Sequence, residues 1–127
     1  MDDIYRENIL DHYRNPHNFG HLKNADIAKS MGNPFCGDQI SISIKFSKDK
    51  KNPKIKKINF EGVGCAISIA SSSLLTDFVK GKEVKKVMNL KKEIVMELLG
   101  IALTPTRLKC ALLPLETIHS ALSSGFK

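Results

Sequence analysis

Gln39-Ile40-Ser41-Ile42-Ser43-Ile44-Lys45-Phe46 alternates polar and apolar side chains along its whole length. Successive side chains of a strand point to opposite faces, so Ile40, Ile42, Ile44 and Phe46 share one face and Ser41, Ser43 and Lys45 the other. That pattern is a half-buried β-strand. The polar run from Asp49 to Pro53 turns the chain, and Lys54 to Glu61 reads as a second strand with Ile58 and Phe60 on a common face. Ile55 is out of phase with them, which predicts a bulge or a frayed start. The result is a hairpin.

Beyond the hairpin the period becomes helical. Ile67, Ala70, Leu74 and Phe78 form one stripe through Ala66 to Lys80, and Gly81 stops the helix. Shorter helices are expected from Glu83 to Met88 and from Lys91 to Leu99, the latter ended by Gly100. Leu103-Thr104-Pro105-Thr106 reads as a connector, and a last helix as Cys110 to Ser123, irregular at Pro114. Upstream of the hairpin, Ile4 to Arg14 is a short helix with Asp2 and Asp3 at its positive end and Asn15-Pro16 as its stop. The polar stretch that follows, through Met31-Gly32-Asn33-Pro34, reads as a loop. There is no internal repeat and no low-complexity linker. A helix, a hairpin and then several helices predict an α+β fold: a small antiparallel, hairpin-based sheet packed against helices, in one domain spanning residues 1–127.

The chain has 127 residues and 42% apolar content, enough for a core of its own. No run approaches the roughly 18 apolar residues of a membrane span. The start Met1-Asp2-Asp3 is unlike a secretory signal, so the expected compartment is the cytoplasm, with no membrane partner. The net charge is +7, with seven lysines between Lys45 and Lys57 and six between Lys80 and Lys92. No tryptophan and no interleaved aromatics accompany them, so no nucleic-acid partner is expected. Solvated basic surface is the plain reading of these runs, and an acidic protein partner the alternative.

The three cysteines cannot all pair in disulfides, and in a reducing compartment they stay thiols. Cys36 lies in the loop before the first hairpin strand, Cys65 between the hairpin and the long helix, and Cys110 after the proline-containing connector. The last two are expected at helix N-termini, where free N–H groups and the dipole favour thiolate. One such cysteine alone is most often core filler. Three of them, at glycine-flanked or helix-start positions, point to a shared site. No Cys-x-x-Cys is present, and gaps of 28 and 44 residues mean that only folding can assemble such a site. Asp38 adds an oxygen donor two residues from Cys36, with Gly37 between them to turn the backbone; its plain reading is a strand or helix cap. Three thiolates and one carboxylate satisfy a tetrahedral zinc ion. They also fill the four ligand positions of a [2Fe–2S] cluster, where a hard carboxylate would make release easier.

These residues resemble the NifU/IscU family of iron–sulfur cluster assembly scaffolds over nearly the whole chain. The matching pieces are Tyr5-Arg6-Glu7-Asn8-Ile9-Leu10-Asp11-His12-Tyr13-Arg14-Asn15-Pro16 and Gly32-Asn33-Pro34-Phe35-Cys36-Gly37-Asp38, followed by Gly62-Val63-Gly64-Cys65-Ala66-Ile67-Ser68-Ile69-Ala70-Ser71-Ser72-Ser73 and Lys80-Gly81-Lys82. The resemblance implies that Cys36, Asp38, Cys65 and Cys110 hold a transient [2Fe–2S] cluster. It also implies a cysteine desulfurase as sulfur-donating partner and apo iron–sulfur proteins as acceptors. Two departures stand out. Lys109-Cys110 replaces the family's frequent His-Cys and is similar to the SufU branch, whose members bind zinc and relay sulfur; the insertion typical of that branch is missing. The Leu-Pro-Pro-Val-Lys motif read by an Hsp70-type chaperone is present only as Leu103-Thr104-Pro105-Thr106-Arg107, which puts that partner in doubt.

The leading expectation is a non-enzymatic scaffold, working as a monomer or as a homo-oligomer formed around a cluster. Its rival is a zinc-dependent sulfurtransferase using the same four residues; a structural zinc module that meets acidic partners through its lysines is the third reading. Cys110 is the expected persulfide acceptor, because Lys109 and a helix start would both favour its thiolate, and Cys36 is the alternative; Lys109 could also gate the metal site by pairing with Asp38 when no metal is bound, its plain reading being a solvated surface lysine. His12, His17 and His21 lie close in sequence, but His12 reads as a helix residue rather than a ligand. His119 reads as packing or surface. Ser71 to Ser73 supply small residues for close helix packing.

Overall fold

The computed structural model describes residues 3–34 and 37–125. Eight elements follow one another: α1 (Asp3–Arg14), β1 (Ile27–Asn33), β2 (Asp38–Phe46), β3 (Ile55–Val63), α2 (Ala66–Val79), α3 (Val84–Met88), α4 (Lys92–Leu99) and α5 (Pro105–Gly125). The three strands form an antiparallel sheet in the order β1-β2-β3. The expected α+β architecture, an antiparallel sheet against helices, is what the chain adopts.

The alternation of β2 settles its faces. Ile40, Ile42 and Ile44 are fully buried, as are Ile58 and Phe60 of β3. Burying each such side chain stabilises the fold by about 1.5–3 kcal/mol before entropy is charged against it. The expected irregularity at Ile55 is a bulge. Lys45 pairs with Lys57 while Phe46 pairs with Ile55, so Lys56 is an extra residue on β3. That extra residue returns Ile55 to the inner face, where it is fully buried.

The expected loop through Met31-Gly32-Asn33-Pro34 is corrected: Ile27–Asn33 is a strand. It pairs with β2 from Ile27↔Ile44 to Asn33↔Asp38, so the sheet is a three-stranded meander rather than a lone hairpin. As an edge strand β1 takes its backbone bonds from β2 and, of its apolar side chains, packs only Ile27 and Met31 against the core, so it lacks the alternating signal. The opposite edge is covered by residues 18–20: Phe60 donates its N–H to the Asn18 carbonyl and Gly20 donates to the Phe60 carbonyl, both at 2.8 Å.

Helix α2 lies at the centre. Ile67, Ser68, Ile69, Ala70, Ser71, Ser72, Ser73, Leu75, Thr76 and Val79 are all buried, a wider surface than the single stripe expected. Its small polar side chains permit this because their hydroxyls find partners, most of them carbonyls. Ser72 donates to the Ser68 carbonyl at 2.8 Å, Thr76 to Ser72 at 2.7 Å, and Ser71 across to Ala111 of α5 at 2.6 Å.

The last helix begins five residues earlier than expected, at Pro105 rather than Cys110. Thr104-Pro105 is a start signal rather than a connector. The Thr104 hydroxyl accepts the Arg107 N–H at 3.3 Å, and the Thr104 carbonyl takes the first helical bond, from Leu108 at 2.8 Å. Pro105 occupies the first helical position, where its missing N–H has no cost. The helix runs through Pro114 to Gly125.

Candidate metal centre

Two of the long elements that cross the molecule begin at the same place. Asp38 opens β2 and is only 4% exposed. Cys65 is the N-cap residue of α2, in extended conformation, as expected. Cys110 is 3% exposed, in the second turn of α5 rather than at its start. The expected support from a helix N-terminus therefore fails for Cys110, because the free N–H groups and most of the dipole's effect belong to the first turn.

Despite separations of tens of residues, the carboxylate of Asp38 and the sulfurs of Cys65 and Cys110 lie within 4.8 Å of one another. Among the described residues they are the one such cluster of histidine, cysteine and acidic side chains. Cys36, the fourth expected member, lies outside the described residues. Asp38 is held in place from the α2 side. Its Oδ1 accepts the Cys65 backbone N–H at 3.2 Å, and its Oδ2 accepts the Cys65 thiol at 3.8 Å. The carboxylate thus caps the positive end of α2 while its second oxygen faces a sulfur.

Glycine makes that approach possible. A Cβ on Gly64 would stand 2.2 Å from the Ser68 hydroxyl and 3.1 Å from Asp38 Oδ1. Ser68, wholly buried, uses that hydroxyl to donate to the Cys65 carbonyl at 3.0 Å. Gly64 and Ser68 are site residues that the sequence alone did not single out. The available signal was a glycine directly before a cysteine at a strand-to-helix junction, with a serine three residues into the helix.

The donor set fits a thiophilic ion. Two sulfurs and one carboxylate suit zinc or iron, and are unlike the all-oxygen shells of calcium or magnesium. The present spacing closes onto one ion through small side-chain rotations, given bonds of about 2.0–2.3 Å. Beside the cluster, exposed Lys109 lines a cleft of about 270 Å³ with Asn33, Pro34, Leu113 and Glu116.

The histidines act elsewhere. His12 and His17 do meet, ring centroids 4.5 Å apart, but they bind hydroxyl and carboxylate groups of α2. His12 Nδ1 is 2.6 Å from the Ser73 hydroxyl, which also accepts the His17 backbone N–H at 2.8 Å; His17 Nδ1 is 2.5 Å from Asp77. This network fastens α1 and its following turn to α2. Burial, followed by the neighbouring His17, lowers the pKa of His12. Burial is also the largest single influence on Asp77 and pushes it up, but hydrogen bonds from His17 and Asn18, with the charges of His17 and Lys80, together bring it below its ordinary value. His119 is a packing residue, its Nε2 2.9 Å from the Val87 carbonyl.

Residues 4–126 match the family model of the NifU-like N-terminal domain. The chain belongs to that family. Among its relatives, the iron–sulfur cluster assembly scaffold protein IscU of Aquifex aeolicus is 41% identical over 122 residues, 96% of this chain and 76% of that one. The zinc-dependent sulfurtransferase SufU of Bacillus subtilis is 33% identical over 140 aligned positions, 97% of this chain and 92% of that one. A solved Fervidobacterium islandicum structure, titled as a candidate SUF-system scaffold for iron–sulfur cluster assembly, superposes with a TM-score of 0.79 at 29% identity, covering 94% of this chain and 97% of that one. The relatives of this chain thus include proteins named as scaffolds and a protein named as a sulfurtransferase. No described helix is long and apolar enough to cross a membrane.

Proposed function

We propose that the chain is a scaffold on which Cys36, Asp38, Cys65 and Cys110 hold a [2Fe–2S] cluster during assembly and then release it to apo iron–sulfur proteins. The observation carrying this reading is the convergence of Asp38, Cys65 and Cys110 within 4.8 Å at the start of two elements and the flank of a third. An oxygen donor in a sulfur-rich set fits a temporary cargo, since carboxylate holds iron less durably than thiolate does. The cluster is cargo here, not a resident cofactor.

Sulfur arrives from a cysteine desulfurase as a persulfide. The Cys110 thiolate attacks the terminal sulfur, the donor's S–S bond breaks, and the desulfurase thiolate leaves, so the transfer is redox-neutral. Later reduction of that sulfur to sulfide draws electrons from an external reductant. Lys109, directly before Cys110 in the chain, is the sequence feature that favours this assignment. At 3% exposure, however, Cys110 must be uncovered before a partner's persulfide reaches it. Cys110→Ser is expected to abolish persulfide labelling while zinc still binds. Labelling lost in Cys36→Ser instead would move the acceptor to Cys36.

The second reading, a zinc-dependent sulfurtransferase, is favoured by Lys109 and by the likeness to the Bacillus protein. That alignment extends over 140 positions where this chain has 127 residues, whereas the Aquifex scaffold aligns over 122. Anaerobic reconstitution with a desulfurase, cysteine, a reductant and ferrous iron separates the two. The scaffold reading expects a cluster that passes to an apo-ferredoxin. Retained zinc with faster desulfurase turnover and no cluster would establish the sulfurtransferase.

A further inference from the structure

The two lysine-rich stretches, separate in sequence, are stitched together by the fold. Ile55 donates to the Lys82 carbonyl at 2.9 Å, Gly81 to Ile55 at 2.7 Å, and Val84 to Pro53 at 2.9 Å. Residues 45–57 and 80–92 contain thirteen of the chain's twenty lysines and arginines and two of its thirteen acids, so they carry +11 and the rest of the chain −4. Of those two acids, Asp49 is exposed and engaged by its own turn, its Oδ1 accepting the N–H groups of Lys51 and Asn52 at 3.0 and 3.3 Å. Among the described residues none of the thirteen lysines forms an ion pair. The molecule is polarised, with its positive end facing solvent.

That end lies far from the metal centre. β2 runs from Asp38 to Phe46, about 27 Å of extended chain, and α2 leads from Cys65 to the same end along about 21 Å of helix. Between the β2–β3 turn and α3 opens a cleft of about 360 Å³ lined by Lys51, Pro53, Val84, Lys85 and Met88. Its floor is apolar, and Met88 is 37% exposed.

We propose that this cleft docks an acidic segment of a partner protein, one apolar side chain entering between Pro53, Val84 and Met88 while carboxylates face the surrounding lysines. Charge complementarity selects the occupant. All thirteen cations are lysine, so the planar fork that arginine offers to phosphates is missing. The aromatic rings of these stretches are Phe46, half-buried, and no others, and Phe78 just before the second is covered by Lys82 at 4.5 Å, so nothing presents a base-stacking face. A partner held here leaves the Asp38–Cys65–Cys110 cluster uncovered, so docking and cargo exchange proceed at opposite ends of the molecule.

The test uses the zinc-loaded full chain and a fluorescent peptide of aspartates and glutamates with one central leucine. Binding by anisotropy in low salt should weaken as salt rises, with amide shifts confined to residues 47–54 and 81–90. The double variant Lys51→Glu/Lys85→Glu should bind about tenfold more weakly while keeping its zinc. Replacing the peptide's leucine by alanine should weaken binding about fivefold. No binding in low salt, equal affinity of the double variant, equal affinity for leucine and alanine peptides, or tighter binding of single-stranded DNA of the same charge would each overturn the proposal.

Discussion

Gly64→Ala is the most informative single change near the metal centre, because the backbone accepts alanine there and only space forbids it. The added Cβ would meet the Ser68 hydroxyl at 2.2 Å and Asp38 Oδ1 at 3.1 Å. The first contact lies far inside van der Waals separation and the second is tight, so Ser68 must rotate and Asp38 must yield by a few tenths of an ångström. Ser68 is fully buried, and its rotation breaks the bond to the Cys65 carbonyl. Overpacking of this kind costs about 1–3 kcal/mol, or about 3–12 °C in Tm for a domain of this size. Displacing Asp38 also strains its bond to the Cys65 N–H, a charge-assisted contact worth about 1.5–3 kcal/mol if lost entirely, so zinc affinity should fall about tenfold. Thermal melts and competition against a chelator read the two effects. Ser68→Ala alone should cost about 1 kcal/mol, yet in combination it should relieve the worse clash, giving a favourable coupling of about 1–2 kcal/mol. Strict additivity of the two substitutions would refute this account of Gly64.

Asp38→Ala should leave the thiols able to bind metal but slow cluster release to an apo-ferredoxin severalfold; an unchanged transfer rate would count against the carboxylate as the labile ligand. His12 is lowered below 6.5 in the folded chain, so the unfolded chain takes up that proton first and stability falls as pH drops below 6.5 through the folded value. Asp77, held below 3.8, contributes stability present above 3.8 and lost as pH falls through its lowered value. Denaturant melts at pH 7.5, 6.0 and 5.0 should therefore show a slope that His12→Asn flattens, and equal slopes would dismiss the network's role. Thr104→Ala removes the cap of α5 and should cost about 1 kcal/mol by the same melts, whereas Thr104→Ser should cost little.

The central elements were legible because their side chains carry their own periodicity. β2 alternates and is buried on one face, and α2 begins directly after Cys65. Even the bulge before Ile58 left a mark in the sequence, since an inserted residue shifts the apolar side chain beyond it out of phase. β1 was not legible. An edge strand is held by the backbone of its neighbour, and Lys29, Ser30 and Gly32 carry no strand signal of their own. The start of α5 is hidden because Thr104-Pro105-Thr106 resembles a connector when its capping geometry is unseen, and Cys110 then reads as a helix end rather than a second-turn residue. The breadth of α2's burial was hidden as well, because serines look polar until their hydroxyls are seen bonding to carbonyls one turn back or across to Ala111. As for the centre itself, the glycine-flanked and helix-start positions of the cysteines pointed to a shared site. Those positions could not show that Asp38 reaches the start of α2 rather than capping its own strand, nor that Gly64 clears the way.

The central claim is that sulfur and carboxylate donors from distant parts of the chain bind one metal. X-ray absorption at the zinc edge, on protein loaded with one equivalent of zinc, tests it most directly. The account predicts three sulfurs at about 2.3 Å and one oxygen at about 2.0 Å, with one sulfur lost in each of Cys36→Ser, Cys65→Ser and Cys110→Ser. A shell of nitrogen and oxygen alone, or one unaltered by Cys65→Ser and Cys110→Ser, would contradict it.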